Sequence, residues 1–176
     1  MQRWIVLVGP MGAGKSAVGR VVAERLRRPF LDVDEEIERA AAMPIAEIFA
    51  RDGEAFFRAR EAEVIARLLA ARPGILATGG GAWMARGNRE AIDRSGVSVW
   101  LDAPMDVLWQ RLRRARTRDA RPLLATEDPR ATLEALVAER APTYALARLR
   151  VPVDMGQSVS DVALGVLDAV RTEVAS

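Results

Sequence analysis

Gly9-Pro10-Met11-Gly12-Ala13-Gly14-Lys15-Ser16 follows a short apolar run, Trp4-Ile5-Val6-Leu7-Val8, and precedes a stretch with Val18, Val21, Val22 and Leu26 at helical spacing. The octapeptide satisfies every fixed position of the phosphate-loop pattern G-x-x-x-x-G-K-S/T. It also stands where that loop has to stand, between a buried strand and a helix. From average residue usage the pattern arises by chance in roughly one chain in a hundred of this length, and the flanking strand and helix make a plain glycine turn the weaker reading. The glycines let the N–H groups around Met11, Gly12, Ala13 and Gly14 curl about phosphate oxygens, and the positive end of the following helix points at the same anion. Lys15 then reaches the β- and γ-phosphates, and the Ser16 hydroxyl is a hard oxygen suited to Mg²⁺. The motif alone does not separate a kinase from a switch GTPase or a motor ATPase.

With 176 residues the chain can bury a core without staples, so a single domain over 1–176 is expected. It has no cysteine, which excludes disulfides, thiolate nucleophiles and Cys-ligated metal. It also has no histidine, which removes Ser-His and Cys-His machinery and leaves Asp or Glu as the expected general base. The first residues lack the length of a signal h-region, and no apolar stretch approaches the roughly 18 to 20 residues of a membrane span. The expectation is a cytoplasmic protein with no membrane partner. Of the 26 basic residues, Lys15 is the only lysine. A chain that otherwise uses arginine keeps one compact ammonium, and a phosphate cradle is where that difference matters.

Further strands are predicted at Pro29-Phe30-Leu31, 74–78, 97–101 and 149–153. Helical patterns run from 34 to about 41, from Pro44, from about 54 to 71, from Pro104, from about 129 to 148, and from Ser158 to about 174. Ser158 with Asp161 three residues on forms a near capping box. The alternation implies a parallel sheet with helices on both faces.

Asp32 and Asp34 come where the second strand runs out, the edge at which open α/β sheets place ligands. If the extended backbone persists, both side chains face one way, so that Asp32 holds Mg²⁺ through water and Asp34 orients or deprotonates an acceptor hydroxyl. Asp34 as a cap of the next helix is an equal reading of that residue alone. Arg58 belongs to a charged helical stretch, and Gly79-Gly80-Gly81 after a strand brings backbone donors close to a ligand.

These pieces together resemble the shikimate kinase family over nearly the whole chain. The resemblance is carried by Gly14-Lys15-Ser16, Asp32-x-Asp34, Ile48-Phe49 with Asp52-Gly53-Glu54 and Phe57-Arg58, the triple glycine, Arg121-Pro122-Leu123-Leu124, and Glu139-Arg140-x-Pro142-x-Tyr144. It implies a three-layer α/β/α P-loop kinase fold, like that of the nucleoside monophosphate kinases, with a five-stranded parallel sheet in the order 2-3-1-4-5. It also implies a lid at about 111–125 and a substrate-binding helical segment at about 34–62. The implied reaction passes the γ-phosphoryl of ATP, with Mg²⁺, to the 3-hydroxyl of shikimate. By the same resemblance Arg58 and Arg140 clamp the shikimate carboxylate, Gly79, Gly80 and Gly81 line the pocket, Asp34 activates the attacking hydroxyl, and Arg121 meets the transferring phosphate.

The segment from Arg111 to Arg121 is shorter than in many relatives, so that either Arg114 or Arg116 stacks on adenine, with Arg116 ahead. Gln157 is a candidate for the adenine loop. Trp83 either borders the pocket or packs, whereas Trp4 and Trp100 read as core. Arg111, Arg113, Arg114, Arg116, Arg118 and Arg121 motivate a rival RNA-binding reading, but almost no aromatic residue interleaves them and nucleic acid is not the expected partner. A nucleotide switch explains the phosphate loop without the arginines, glycines or paired aspartates. Another small-metabolite kinase, such as a gluconate kinase, is the nearest enzymatic alternative. A monomer is expected.

Overall fold

Five short runs pair side by side into one parallel sheet of doubly wound order. The computed structural model describes residues 3–114 and 122–175. Strands β1 (Trp4–Val8), β2 (Phe30–Asp32), β3 (Ile75–Ala77), β4 (Gly96–Asp102) and β5 (Leu149–Pro152) lie in the order β2-β3-β1-β4-β5. The central strand β1 pairs in parallel with β3, Leu7 opposite Ala77, and with β4, Val8 opposite Trp100. All the strands therefore end on one edge, where the ligand-binding loops collect.

β1 reads as a continuous apolar run because both of its faces are covered. Ile5 and Leu7 join a core with helices α1 (Lys15–Leu26), α5 (Met105–Arg114) and α7 (Val159–Ala175), through Val18, Val22, Leu108, Val162 and Val166. Trp4, Val6 and Val8 face the other way. There they meet α2 (Val33–Ala41), α3 (Ile45–Leu69) and α4 (Arg86–Ser95), through Ile37, Ile48, Phe57, Ile65 and Ile92. Helix α6 (Pro129–Tyr144) closes the site edge, its N-terminus capped by Asp128. The Ser158–Asp161 capping box forms as expected, with the Asp161 N–H donating to Ser158 Oγ at 3.2 Å and the Ser158 N–H to Asp161 Oδ2 at 2.9 Å.

Three features differ from the sequence expectation. Helix α4 was not expected, because Asn88 and Ile92 are its only buried residues and no apolar period marks it. It is held instead by polar contacts, Asn88 Nδ2 donating to the Ala82 carbonyl at 2.9 Å and Arg89 to the Trp83 carbonyl at 2.8 Å. Helix α6 stops at Tyr144 rather than near 148, because tight turns from the Leu146 and Ala147 N–H groups redirect the chain into β5. The extended backbone also ends at Asp32. That residue, not Asp34, caps α2, accepting from the Asp34 N–H at 3.0 Å and the Glu35 N–H at 3.4 Å. Asp34 reaches the site from the first turn of a helix, so strand alternation is not what aligns the pair.

The two helices expected from Pro44 and from about 54 meet inside α3, where Gly53 adopts φ 83 and ψ 173. Only glycine occupies that region without strain, and the helix beyond the break brings Arg58 and Glu61 to the cleft. A Cβ at Gly53 would touch nothing within 4 Å, so replacing it isolates the backbone cost. Gly53→Ala is expected to destabilise by about 1–3 kcal/mol, measured by denaturant titration. Gly87→Ala, equally open but within α4, should be neutral or stabilise by up to about 1 kcal/mol. Equal effects from the two would contradict the strained kink.

Candidate active site

The loop after β1 turns on glycines in conformations that side chains resist. Gly9 has φ 139, and a Cβ there would lie 2.8 Å from the Leu101 carbonyl oxygen. Helix α1 then starts with no side-chain cap and no acidic residue in its first turn, which leaves its electropositive end for a ligand. Lys15 is buried and its Nζ donates to the Gly9 and Pro10 carbonyls at 2.7 and 2.8 Å. Ser16 Oγ donates to Asp32 Oδ2 at 2.5 Å. These two hard oxygens suit Mg²⁺. No group of three His, Cys, Asp or Glu side chains able to hold a metal occurs among the described residues, so the other ligands would be phosphate oxygens and water.

One cleft of about 620 Å³ runs from this loop to a second charged cluster. At the far end Asp34 Oδ1 and Glu61 Oε1 lie 2.9 and 3.0 Å from the point a Cβ on Gly79 would occupy, so two carboxylates converge on one glycine. Arg58 Nη1 donates to Glu61 Oε2 at 2.9 Å, and Nη2 to Glu54 Oε1 at 3.4 Å. A Cβ on Gly81 would sit 2.6 Å from the Arg58 guanidinium carbon, which is why this guanidinium needs glycine beneath it. Arg140, from α6, completes the wall. Glu61 is 1% exposed, and burial pushes its carboxyl above the ordinary carboxylate range against the pull of Arg58 and then Arg140. Its Oε1 accepts no hydrogen bond among the described residues.

Of the residues expected from sequence, Met11, Gly12, Gly14, Lys15, Ser16, Asp32, Asp34, Arg58, Gly79, Gly80, Gly81 and Arg140 all line this cleft. The side chain of Ala13 instead packs in the core. Arg114 is exposed on the last turn of α5 and is not among the lining residues. Gln157 Oε1 accepts from the Asp154 N–H at 2.9 Å within its own loop, also off the lining. Arg116 and Arg121 lie outside the described residues. Trp83 packs, 1% exposed, its indole N–H donating to the Thr143 carbonyl at 2.8 Å.

Three features of the site were not anticipated. Glu61 shares a helix face with Arg58 by its i, i+3 spacing, a signal that could have found it. Arg111 Nη1 donates to the Ala13 carbonyl at 2.8 Å across 98 residues of chain, and no local pattern marks it. Phe49 and Phe57, with ring centroids 4.7 Å apart, form an apolar flank of the cleft. Chemically the cleft offers an anion cradle at one end and a carboxylate flanked by arginines at the other, a geometry for moving a phosphoryl group onto an anionic acceptor.

Known proteins resemble this chain in sequence and in fold. The family model described as shikimate kinase matches residues 11–171. A shikimate kinase of Cereibacter sphaeroides is 55% identical over 172 residues, which are 98% of this chain and 84% of that one. The structure of a shikimate kinase from Acinetobacter baumannii in complex with shikimate is similar at TM-score 0.89 and 39% identity, over 98% of this chain and 95% of that one. A gluconokinase from Sinorhizobium meliloti, 21% identical with a TM-score of 0.61 over 99% of this chain and 97% of that one, shares the fold alone.

Glu61 titrates differently in the folded and unfolded chain. Its folded-state pKa is raised, so the stabilisation it contributes is complete below the unfolded value and is lost as pH rises through the folded one. Thermal midpoints measured across that window should fall more steeply with pH in the wild type than in Glu61→Gln, whose carboxamide does not titrate. Parallel curves would contradict the buried, proton-favouring environment.

Proposed function

The chain belongs to the shikimate kinase family, ATP-dependent enzymes that transfer the γ-phosphoryl of ATP to the 3-hydroxyl of shikimate, and from that premise we propose how its own residues divide the work. The observation that carries the reading is the single cleft, lined by Lys15 and the phosphate loop and by Asp34, Arg58 and Arg140. ATP lays its phosphates in the loop of Met11, Gly12, Ala13, Gly14, Lys15 and Ser16, where Lys15 neutralises charge on the β- and γ-phosphates. Mg²⁺ bound by Ser16 and, through water, by Asp32 supplies further charge neutralisation there.

Shikimate brings a carboxylate to the guanidinium forks of Arg58 and Arg140, which suit its planar geometry. Gly79, Gly80 and Gly81 keep that wall free of side chains. The ring hydroxyls then face Asp34, which orients the attacking oxygen and takes up its proton. No histidine competes for that task in this chain. Glu61 holds Arg58 in orientation through their 2.9 Å ion pair. The products are shikimate 3-phosphate and ADP.

We assign residues about 34–62 to acceptor binding and about 111–125 to a lid, with Arg121 on the transferring phosphate and Arg116 or Arg114 against adenine. We also propose that the chain acts as a monomer in a cytoplasmic setting, where ATP is at hand as co-substrate.

Following ADP release from Mg-ATP and shikimate tests the assignment. Asp34→Asn should lower kcat by about 10²–10⁴ while ATP still binds. Arg140→Ala should raise the KM for shikimate roughly ten- to a hundredfold, as expected for losing a charge-assisted contact, with a smaller change in kcat. Near-normal turnover by Asp34→Asn would remove its role as base.

A further inference from the structure

The carbonyl oxygens of a phosphate loop work against its task, because each places negative charge near the anion that the loop's N–H groups receive. Here the carbonyls of Gly9, Pro10, Gly12 and Ala13 are each held by a cation. Lys15 Nζ holds the first two. Arg111 Nη1, from the last turn of α5, donates to the Ala13 carbonyl at 2.8 Å and more weakly to the Gly12 carbonyl at 3.4 Å. The Ala13 N–H in turn donates to the Pro10 carbonyl at 3.2 Å, so the two cations are joined through the backbone of the loop itself.

Arg111 stands where it does because α5 packs against the glycines of the loop. Leu108, Arg111 and Leu112 share one face of that helix by their i, i+3, i+4 spacing. A Cβ at Gly12 would lie 3.1 Å from the Leu108 carbonyl oxygen and 3.2 Å from Leu112 Cγ, and one at Gly14 would lie 3.0 Å from Arg111 Nη1. Gly12 and Gly14 have φ 84 and 93, and peptides beside glycines turn over at little cost. A turned peptide would offer the phosphates a carbonyl in place of an N–H. Burial lowers the pKa of Arg111 from its ordinary value, but a guanidinium keeps its charge.

We propose that Arg111 is a positioning residue for the nucleotide: by holding the Gly12 and Ala13 carbonyls it fixes the peptides between Gly12 and Gly14 in the orientation that receives phosphate, and it adds a second positive charge to the loop beside Lys15. When Lys15 turns to the β- and γ-phosphates, Arg111 remains as the cation that holds the loop. Its task differs from that of Arg114 or Arg116, one of which is assigned to adenine. This rests on the reading of residues 9–16 as the seat of the triphosphate.

Arg111→Met keeps an unbranched stem beside Leu108 and Leu112 and removes the charge and the donors. By calorimetry, affinity for a non-hydrolysable ATP analogue with Mg²⁺ should fall about tenfold, the size of one lost hydrogen bond to a charged group. Tripolyphosphate with Mg²⁺, which has no nucleoside, should lose as much, and shikimate binding should not change. In turnover assays the KM for ATP should rise by a similar factor with kcat within about twofold. Arg111→Lys should recover most of the loss, because an ammonium still donates to a carbonyl. Arg111→Gln, neutral but still a donor, should lie between the two and carries the test if the methionine variant does not fold. Loss for the analogue without loss for tripolyphosphate would make Arg111 a nucleoside contact and overturn the proposal. So would a lowered melting temperature with both affinities unaltered, or a lysine variant as weak as Arg111→Met. Lys15→Ala run alongside separates the two readings. If it weakens the analogue and Arg111→Met does not, only the present proposal fails. If neither does, the phosphate seat itself is wrong.

Discussion

The phosphate loop is the seat on which every other part of the site rests. Its curvature depends on a backbone that only glycine accepts at Gly9, and on the Lys15 ammonium drawing in the Gly9 and Pro10 carbonyls. Gly80 lies against its Met11 nitrogen, Arg111 donates to its Ala13 carbonyl, and the end of β4 lies against Gly9 with no room for a methyl group. A parallel sheet makes this possible. Because β1 is central and all strands run one way, the loops after β1, β2 and β3 emerge together, and residues distant in sequence are brought within one cleft.

The second end of the cleft is an electrostatic compromise. Burying Glu61 is unfavourable, and the carboxyl responds by holding its proton more tightly. What offsets this is Arg58, whose fork is oriented by the ion pair toward the space left by Gly81. An arginine intended for a planar anion gains from being held in one orientation before the anion arrives. Lysine could not serve there, and arginine could not replace the compact ammonium of Lys15. The chain's single lysine and its many arginines thus fall on opposite sides of one division of labour.

The sequence was most legible where function compresses into a local motif. The octapeptide at 9–16, the apolar run before it and the triple glycine located both ends of the cleft, because each needs neighbouring residues of fixed type. Helix α4 escaped notice because its helix is fixed by Asn88 and Arg89 bonding to loop carbonyls rather than by an apolar stripe. Topology could have supplied it, since a parallel β3-to-β4 connection needs a crossover of that length. Asp34 was assigned to the site for a reason that did not hold, since helix α2 begins a residue earlier than strand alternation required. Arg111 was not legible as a site residue because its partner, Ala13, is 98 residues away and only the fold unites them.

The central claim is that one cleft holds two anions independently, the triphosphate through Lys15 and its loop and the acceptor through the arginine wall. Calorimetric titration of a non-hydrolysable ATP analogue with Mg²⁺, and separately of shikimate, into the wild type and Lys15→Ala tests it directly. The account predicts one-to-one binding of each to the wild type. It also predicts loss of roughly ten- to a hundredfold in affinity for the analogue in the variant, as for a removed charge-assisted contact, with shikimate binding retained. Unchanged affinity for the analogue in Lys15→Ala, or no heat from it in the wild type, would contradict the account.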